Sequence, residues 1–162
     1  MSMFAPGNQA DTTLLDTAIK SIQEGWLSVA LRILQNADSA ETAHLFALGV
    51  CLFRADEFAQ AAEHFEKALI ALKQSQLGVS LYPKTDTYRK LRKRELANCA
   101  YLTPFDSGFI TNEQAKENIL IALAEACFRA GNTDKAKTLV NSLVGEEFDE
   151  IKTLIFFEKE LY

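Results

Sequence analysis

A nine-residue phrase occurs twice in this sequence, as FRADEFAQA at 53–61 and as FRAGNTDKA at 128–136. The residues that flank the two copies also correspond, because small and large apolar residues follow one another in the same order and at the same spacing. A chain that repeats both a phrase and the apolar frame around it builds the same packing unit more than once. The sequence therefore predicts an array of repeated units.

The composition favours helices over strands. Leucine and alanine dominate the apolar residues, whereas the 162 residues include only 7 glycines and 3 prolines. Leucine and alanine stabilise helices, and glycine and proline interrupt them. No apolar run approaches the roughly 18 residues that a membrane span needs, so the apolar residues are expected to form a core. The predicted fold class is all-α.

The frame around the first copy reads L-x2-L-G-x2-L over 45–52 and A-x3-F over 61–65. This spacing resembles the tetratricopeptide repeat, a helix–turn–helix unit of about 34 residues. In such a unit Gly49 leaves room where the second helix approaches, and Phe65 fills the space between the two helices. The corresponding positions around the second copy, and in a weaker frame near the N-terminus, are Leu120, Leu123, Ala124, Cys127, Ala136, Val140 and Leu143, and Leu14, Thr17, Ala18, Ser21, Ala30, Leu34 and Ala37.

The resemblance implies a superhelix of about three helix–turn–helix repeats with one insertion and a C-terminal capping helix. An insertion is required because Ala61 and Ala136, which occupy the same position in two repeats, lie further apart than one repeat length. The expected layout is a disordered N-terminus at 1–10 and a single domain at 11–162, with repeats at about 11–40, 42–75 and 117–146, the insertion at 76–110 and the capping helix at 147–162.

Basic residues are concentrated in a predicted insertion helix over 84–102, for which Thr85 or Asp86 is the expected N-cap. The basic patch consists of Lys84, Arg89, Lys90, Arg92, Lys93 and Arg94. Either it balances the acidic remainder of the molecule, or it binds an acidic protein segment or a phosphate-bearing ligand. The net charge of −5 disfavours nucleic acid as a partner. Beyond the insertion, Thr111 and Gln114 have the spacing of a helix capping box.

In tetratricopeptide proteins the first helix of each repeat lines a concave surface that holds a peptide or helix. The matching positions define the predicted groove, which consists of Leu15, Ile19, Phe46, Val50, Phe53, Ile121, Glu125 and Phe128. A largely apolar lining suits an apolar partner segment. The Lys and Asn clamp with which some family members hold a C-terminal carboxylate is absent. Alternatively, the insertion or the last helix of the chain itself buries these residues.

The last predicted helix is apolar over much of its circumference, and its apolar residues are Phe148, Ile151, Leu154, Ile155, Phe156 and Phe157. A capping helix normally presents a polar outer face to solvent. We therefore expect this helix either to dock deeply on the array or to contact a second chain. The second interpretation predicts self-association as a homodimer.

Few residues suggest catalysis. Cys51 lies two helical turns from His44, which is too far for a hydrogen bond between them. The sequence contains no HExxH, GxSxG, glycine-rich phosphate loop or calcium loop, and we predict no catalytic residues, no metal and no cofactor. The cysteines lack a ligand spacing, which favours buried thiols in a reducing compartment. No secretory signal pattern occurs at the N-terminus, so a cytoplasmic location is expected.

The predicted function is that of a non-catalytic adaptor or assembly scaffold, which binds an apolar protein segment in the groove and self-associates. Neither a membrane nor a nucleic-acid partner is expected. The layout is also similar to that of the translocator chaperones of bacterial type III secretion, and the insertion resembles the N-terminal dimerisation domains of tetratricopeptide subunits of the anaphase-promoting complex. These resemblances imply two alternatives, a chaperone-like holder of a hydrophobic subunit and a dimerisation domain of a multi-subunit complex.

Overall fold

The computed structural model describes residues 7–37, 39–75, 84–105 and 110–157. These residues form eight α-helices and two 3-10 helices, and no strand occurs among them. The α-helices are α1 (Gly7–Gln23), α2 (Leu27–Ala37), α3 (Thr42–Arg54), α4 (Phe58–Ser75), α5 (Asp86–Ala97), α6 (Asn112–Arg129), α7 (Thr133–Asn141) and α8 (Asp149–Phe157), and the 3-10 helices are η1 (Ala100–Leu102) and η2 (Glu146–Phe148). The predicted all-α class is confirmed.

Three helical hairpins, α1–α2, α3–α4 and α6–α7, follow one another along the chain. Within each hairpin the two helices pack together, and α3 also packs on α2. Helix α6 packs directly on α4, although α5 and η1 separate them in sequence. The insertion therefore leaves the array after α4 and rejoins it at α6 without separating the second hairpin from the third.

The corners of the three hairpins have the same backbone geometry. One residue just after the first helix of each hairpin has the left-handed conformation, with φ of 86° at Gly25, 61° at Asp56 and 92° at Gly131. The next amide donates back to a carbonyl five residues earlier, as Glu57 does to Leu52 at 2.9 Å. This bonding satisfies carbonyls that a helix end leaves unpaired. The duplicated phrase therefore encodes a corner, and Asp56 and Gly131 occupy its left-handed position.

Gly49 and Phe65 form a close contact between α3 and α4. A Cβ added at Gly49 would lie 2.6 Å from two ring carbons of Phe65. Phe65 is fully buried, and its ring centroid lies 5.4 Å from that of Phe46. The predicted roles of Gly49 and Phe65 are confirmed, because only a residue without a side chain permits this approach.

Two element boundaries near the N-terminus and in the insertion differ from the prediction. Helix α1 begins at Gly7, so the expectation of disorder is wrong for 7–10, while 1–6 lie outside the described residues. Weak helix formers are tolerated there because first-turn amides need no intrahelical partner. The insertion helix ends at Ala97 rather than at 102, because Cys99 is left-handed with φ of 57° and a 3-10 turn follows.

The cap predictions are confirmed in part. Thr85 caps α5 by accepting a hydrogen bond from the Tyr88 amide at 3.1 Å, and Thr111 caps α6 by accepting one from the Gln114 amide at 3.2 Å. The Gln114 side chain, however, donates to the Tyr88 hydroxyl at 3.2 Å. It links α6 to α5 and does not complete the capping box. The C-terminal helix that was predicted to cover the end of the array is not continuous, because it consists of η2 followed by α8.

Candidate functional site

Most of the predicted groove is buried inside the molecule. Ile19, Glu125 and Phe128 are half-buried. The other five groove residues, Leu15, Phe46, Val50, Phe53 and Ile121, are no more than 8% exposed. The expectation of an open lining is therefore wrong at these five positions, and residues of the insertion and of the last helix lie against two of them, Phe46 and Ile121.

The second half of the insertion covers the groove near its centre. The Phe105 ring stacks on that of Phe46, with centroids 5.0 Å apart and planes inclined by 28°. The Tyr101 hydroxyl donates a hydrogen bond to Glu125 Oε2 at 2.6 Å. Burial and the adjacent Glu125 carboxylate raise the pKa of Tyr101 well above its usual value, so the phenol remains a donor at neutral pH.

The C-terminal helix covers the end of the groove on α6. Ile151 and Ile155 of α8 are each 6% exposed. They share a narrow cleft of about 70 Å³ with groove residues, and its lining is Tyr101, Ile121, Glu125, Phe128, Arg129, Ile151, Leu154 and Ile155. The insertion and α8 therefore meet above α6, and together they exclude solvent from Ile121.

Phe53 packs against an aromatic side chain of its own hairpin and a cationic side chain of the third hairpin. Its ring meets that of Phe58 edge-on, with centroids 5.1 Å apart. The Arg129 guanidinium lies 5.5 Å from both ring centroids and forms an ion pair with Glu125 at 3.2 Å. A cation over aromatic faces is stabilising. Phe53 of the first copy of the phrase and Arg129 of the second copy therefore join the second hairpin to the third.

Four of the six residues of the basic patch are paired with acidic side chains of the same molecule. Lys84 Nζ lies 3.1 Å from both Glu117 and Glu147. Although burial opposes the charge of Lys84, these two carboxylates raise its pKa above the usual value. Arg92 is 3% exposed, and its guanidinium donates to Glu117 at 3.2 Å and to Asn118 at 2.5 Å.

The remaining pairs of the patch lie nearer to solvent. Arg89 approaches Glu147 at 4.0 Å, and Lys93 pairs with Glu150 at 3.1 Å. Lys90 and Arg94 are exposed and form no ion pair with the described part of the chain. The structure therefore favours the interpretation in which the patch balances acidic residues of its own molecule. We call Lys84, Arg92, Glu117 and Glu147 the ionic cluster.

Three of the six residues of the predicted self-association surface are buried. Phe148 is 1% exposed, and Ile151 and Ile155 are buried beside it. Helix α8 packs on α6 and α7, which explains the burial. Leu154 is 59% exposed, and the side chains of Phe156 and Phe157 lie outside the described residues. The expectation of an apolar stripe that faces a second chain is therefore wrong for the three buried residues.

Sequence reasoning missed an open apolar edge at the first hairpin. Leu14 is 42% exposed, Val29 45% and Trp26 63%. A cleft of about 440 Å³ lies between α1 and α2, and its lining is Leu14, Ser28, Val29, Arg32, Ile33, Asn36 and Ala37. The signal was present in the repeat frame, because Leu14 corresponds to Leu45 and Leu120, which are both packed in or against the hydrophobic core.

His44 and two of the three cysteines are buried. His44 is buried, and its Nε2 donates to the Leu34 carbonyl at 2.7 Å. Burial raises the pKa of Cys51 to about 11 and also raises that of Cys127. Cys99 is exposed, so the expectation of a buried thiol is wrong at this position. Among the described residues no group of three or more His, Cys, Asp or Glu side chains is placed to hold a metal ion, and no helix there is long and apolar enough to cross a membrane.

The tetratricopeptide repeat family model matches the chain at 42–67 and at 119–141. Among curated proteins, the chain is similar to Intraflagellar transport protein 70A of Danio rerio, with 28% identity over 153 residues that cover 89% of this chain and 22% of that protein. The chain thus spans about a fifth of the length of this relative. No solved structure matches this chain. The two matched segments fall within the α3–α4 and α6–α7 hairpins, so these two hairpins are similar to tetratricopeptide repeats.

Proposed function

We propose that this chain is a non-catalytic protein–protein interaction module. It binds an apolar helix of another protein at the open apolar edge of the first hairpin, where Leu14, Trp26 and Val29 are exposed, and we call this surface the N-terminal edge. One observation carries this proposal, namely the open cleft between α1 and α2. Inside the array, each first helix packs on the second helix of the preceding hairpin, as α3 does on α2 and α6 does on α4. Helix α1 and the cleft beside it present the same kind of face without such a neighbour among the described residues.

The chemistry of the cleft specifies the partner. Leu14, Val29 and Ile33 provide an apolar floor, and Arg32 supplies the charge in the lining. Arg32 is exposed and forms no ion pair with the described residues. An amphipathic helix with a carboxylate opposite Arg32 fits this surface. Complete burial of each large apolar side chain contributes roughly 1.5–3 kcal/mol.

Affinity purification from the native source, followed by mass spectrometry, tests the proposal. The wild-type chain is compared with Val29→Glu, which places a charge in the cleft. Ile70→Glu is the matched control, because Ile70 is 52% exposed on α4, outside the cleft. The expected result is a partner that binds the wild type and the control but not Val29→Glu. Equal recovery with all three chains would contradict a role for this edge.

The similarity to a relative that is named for intraflagellar transport supports a narrower proposal. We propose that the partner is a subunit of an assembly of that kind and that binding takes place in the cytoplasm. Recovery of intraflagellar transport subunits in the purification is the expected result. Recovery of a single hydrophobic substrate protein would instead favour the chaperone-like alternative.

Self-association is the second candidate function, and the same edge supports it. Two copies that meet through Leu14, Val29 and Trp26 would cover one another's apolar residues. Light scattering at micromolar concentration distinguishes the two candidates. Twice the chain mass for the wild type and a single chain mass for Val29→Glu would establish a dimer, as expected for a dimerisation domain. A single chain mass for both would favour a different protein as the occupant.

A further inference from the structure

We infer that residues 98–105 are an intramolecular ligand of the groove, and that a partner segment with the same aromatic chemistry displaces them. The groove is separate from the N-terminal edge on which the proposed function depends. The inference adds a second binding surface, which the molecule keeps covered until such a segment is present.

The contacts of 98–105 resemble those of a bound peptide. The Tyr101 hydroxyl reaches Glu125 at 2.6 Å, and four residues later the Phe105 ring stacks on Phe46. Between them Thr103 is extended, with φ of −86° and ψ of 121°. Peptides that bind to pre-formed surfaces use such spaced anchors on an extended backbone. The expected partner therefore presents a hydroxyl donor, an extended link and an aromatic ring.

The insertion helix that precedes this segment is attached mainly by polar contacts. Of the 12 residues of α5, only Arg92 and Leu96 are buried. The ionic cluster supplies further contacts of the insertion, through Lys84 and Arg92 to Glu117 and Glu147. Buried ion pairs gain little net stability, because each charge loses its hydration. Release of α5 returns these charges to water, so the release costs less than separation of two apolar helices would.

The ionic cluster is also incompletely hydrogen-bonded. Arg92 Nε and Glu147 Oε2 are both buried and have no hydrogen-bond partner among the described residues. A buried polar atom without a partner lowers the stability of the arrangement that contains it. These two atoms recover hydrogen bonds to water when α5 moves away, which further favours release of the insertion over opening of the repeats.

The repeats do not depend on the insertion for their stacking. Helix α6 packs directly on α4 and α7, and these contacts are independent of α5. A cleft of about 510 Å³ also remains beside Phe105, lined in part by Ala43, Leu72 and Ala115. A partner segment that reaches this space would gain apolar contacts there in addition to those at the positions of Tyr101 and Phe105. Local opening of a weakly attached element on a stable array is therefore the expected route to exchange.

Peptide binding tests the inference directly. The probe is a fluorescein-labelled synthetic peptide with the sequence of residues 98–105, NCAYLTPF, under reducing conditions. The double variant Tyr101→Ala/Phe105→Ala removes both anchors from the intramolecular segment. We expect this variant to bind the peptide at least 10-fold more tightly than the wild type does. Leu91→Ala is the matched control, because Leu91 is 53% exposed on the same insertion, and it should bind as the wild type does.

Two further results decide the inference. Adding Glu125→Ala to the double variant should weaken peptide binding about 5-fold, because one hydrogen bond is lost. Equal binding by the wild type and a folded double variant would overturn the inference.

If the double variant does not fold, hydrogen exchange of the wild type decides. Amides of 86–105 should exchange faster than those of α3 and α6, and more so in 0.5 M salt, because salt weakens the ionic attachment. Exchange at the same rate throughout, at both salt concentrations, would overturn the inference. Partner capture that requires Val29 but does not respond to the double variant supports the proposed function alone and contradicts a groove-bound partner.

Discussion

The Phe65 ring lies so close to the Gly49 backbone that a methyl group at position 49 would overlap two ring carbons. In the third hairpin the corresponding residues are Ala124 and Val140, both fully buried. One position gains a methyl group and the other loses an aromatic ring. The two hairpins thus satisfy the same close approach with different divisions of the available volume.

Gly49→Ala should therefore destabilise the protein, although alanine is the better helix former. Overpacking at this contact is expected to cost roughly 1–3 kcal/mol in the free energy of unfolding. Urea denaturation followed by circular dichroism measures this change. Adding Phe65→Val to Gly49→Ala recreates the pair of the third hairpin, and the double variant should lose less stability than the sum of the two single changes. Strict additivity would show that the two residues do not compete for space.

Removal of one partner from the ionic cluster should have a much larger effect than removal of an exposed charge. Arg92→Met removes the buried donor to Asn118 and one of the two donors to Glu117, which keeps Lys84, and this is expected to cost roughly 3 kcal/mol. Lys90→Met, on the exposed side of the same helix, should change stability by less than about 0.5 kcal/mol. Thermal unfolding of both variants measures the difference. Similar melting temperatures would show that Arg92 is not held as the structure places it.

The three cysteines should react at different rates with a thiol reagent. Cys99 is exposed, whereas Cys51 and Cys127 are buried, and burial raises the pKa of both buried thiols. The thiolate is the reactive form. Ellman's reagent at pH 8 should therefore modify one thiol rapidly in the native protein and all three in urea. Cys99→Ser is the control, and it should abolish the rapid phase. Rapid reaction of two or more thiols in native protein would contradict the burial.

Cys51 should make stability depend on pH in the alkaline range. Its pKa is about 11 in the folded chain, against a reference value of 9.0. The stabilisation is fully present below pH 9, and it is lost as pH rises towards 11, because the unfolded chain releases the proton first. At about 1.4 kcal/mol per pKa unit the loss approaches roughly 2–3 kcal/mol. The pH dependence of urea unfolding should be weaker for Cys51→Ala by this amount, and an identical dependence would contradict the prediction.

The single tryptophan reports on the N-terminal edge. Trp26 is 63% exposed, so its fluorescence should be strongly quenched by acrylamide in the free protein. Partner binding at the cleft should reduce quenching and shift the emission to shorter wavelength. An added helix-forming peptide that leaves Trp26 emission unchanged does not cover this edge. Emission at short wavelength from dilute protein would indicate that a second copy already covers it.

The repeat frame was sufficient to predict the hairpins and their corners. Gly49, Phe65 and the corner residues are read from local spacing, and each acts on residues that are near in sequence or in the adjoining helix. The occupancy of the groove could not be predicted in the same way. Phe105 reaches Phe46 from a segment without helical periodicity, and the contact depends on where the insertion returns to the array. The sequence therefore left both interpretations of the groove open.

Charge patterning was similarly incomplete as a guide. The basic patch was identified, but burial of Arg92 depends on Glu117 and Asn118, which lie on a helix beyond the insertion. A run of cations in sequence does not specify which of them face inward. The open edge at Leu14 was missed for a related reason. An apolar residue in a repeat frame is expected to be covered, but whether it is covered depends on the position of its repeat within the array.

The direct packing of α6 on α4 has an architectural consequence. Because the polypeptide exits and re-enters the stack at adjacent points, the intervening stretch can change length or content while the scaffold keeps its geometry. Loop grafting at this junction would then exchange one covering segment for another, and ligand preference would become a property that is engineered separately from thermodynamic robustness.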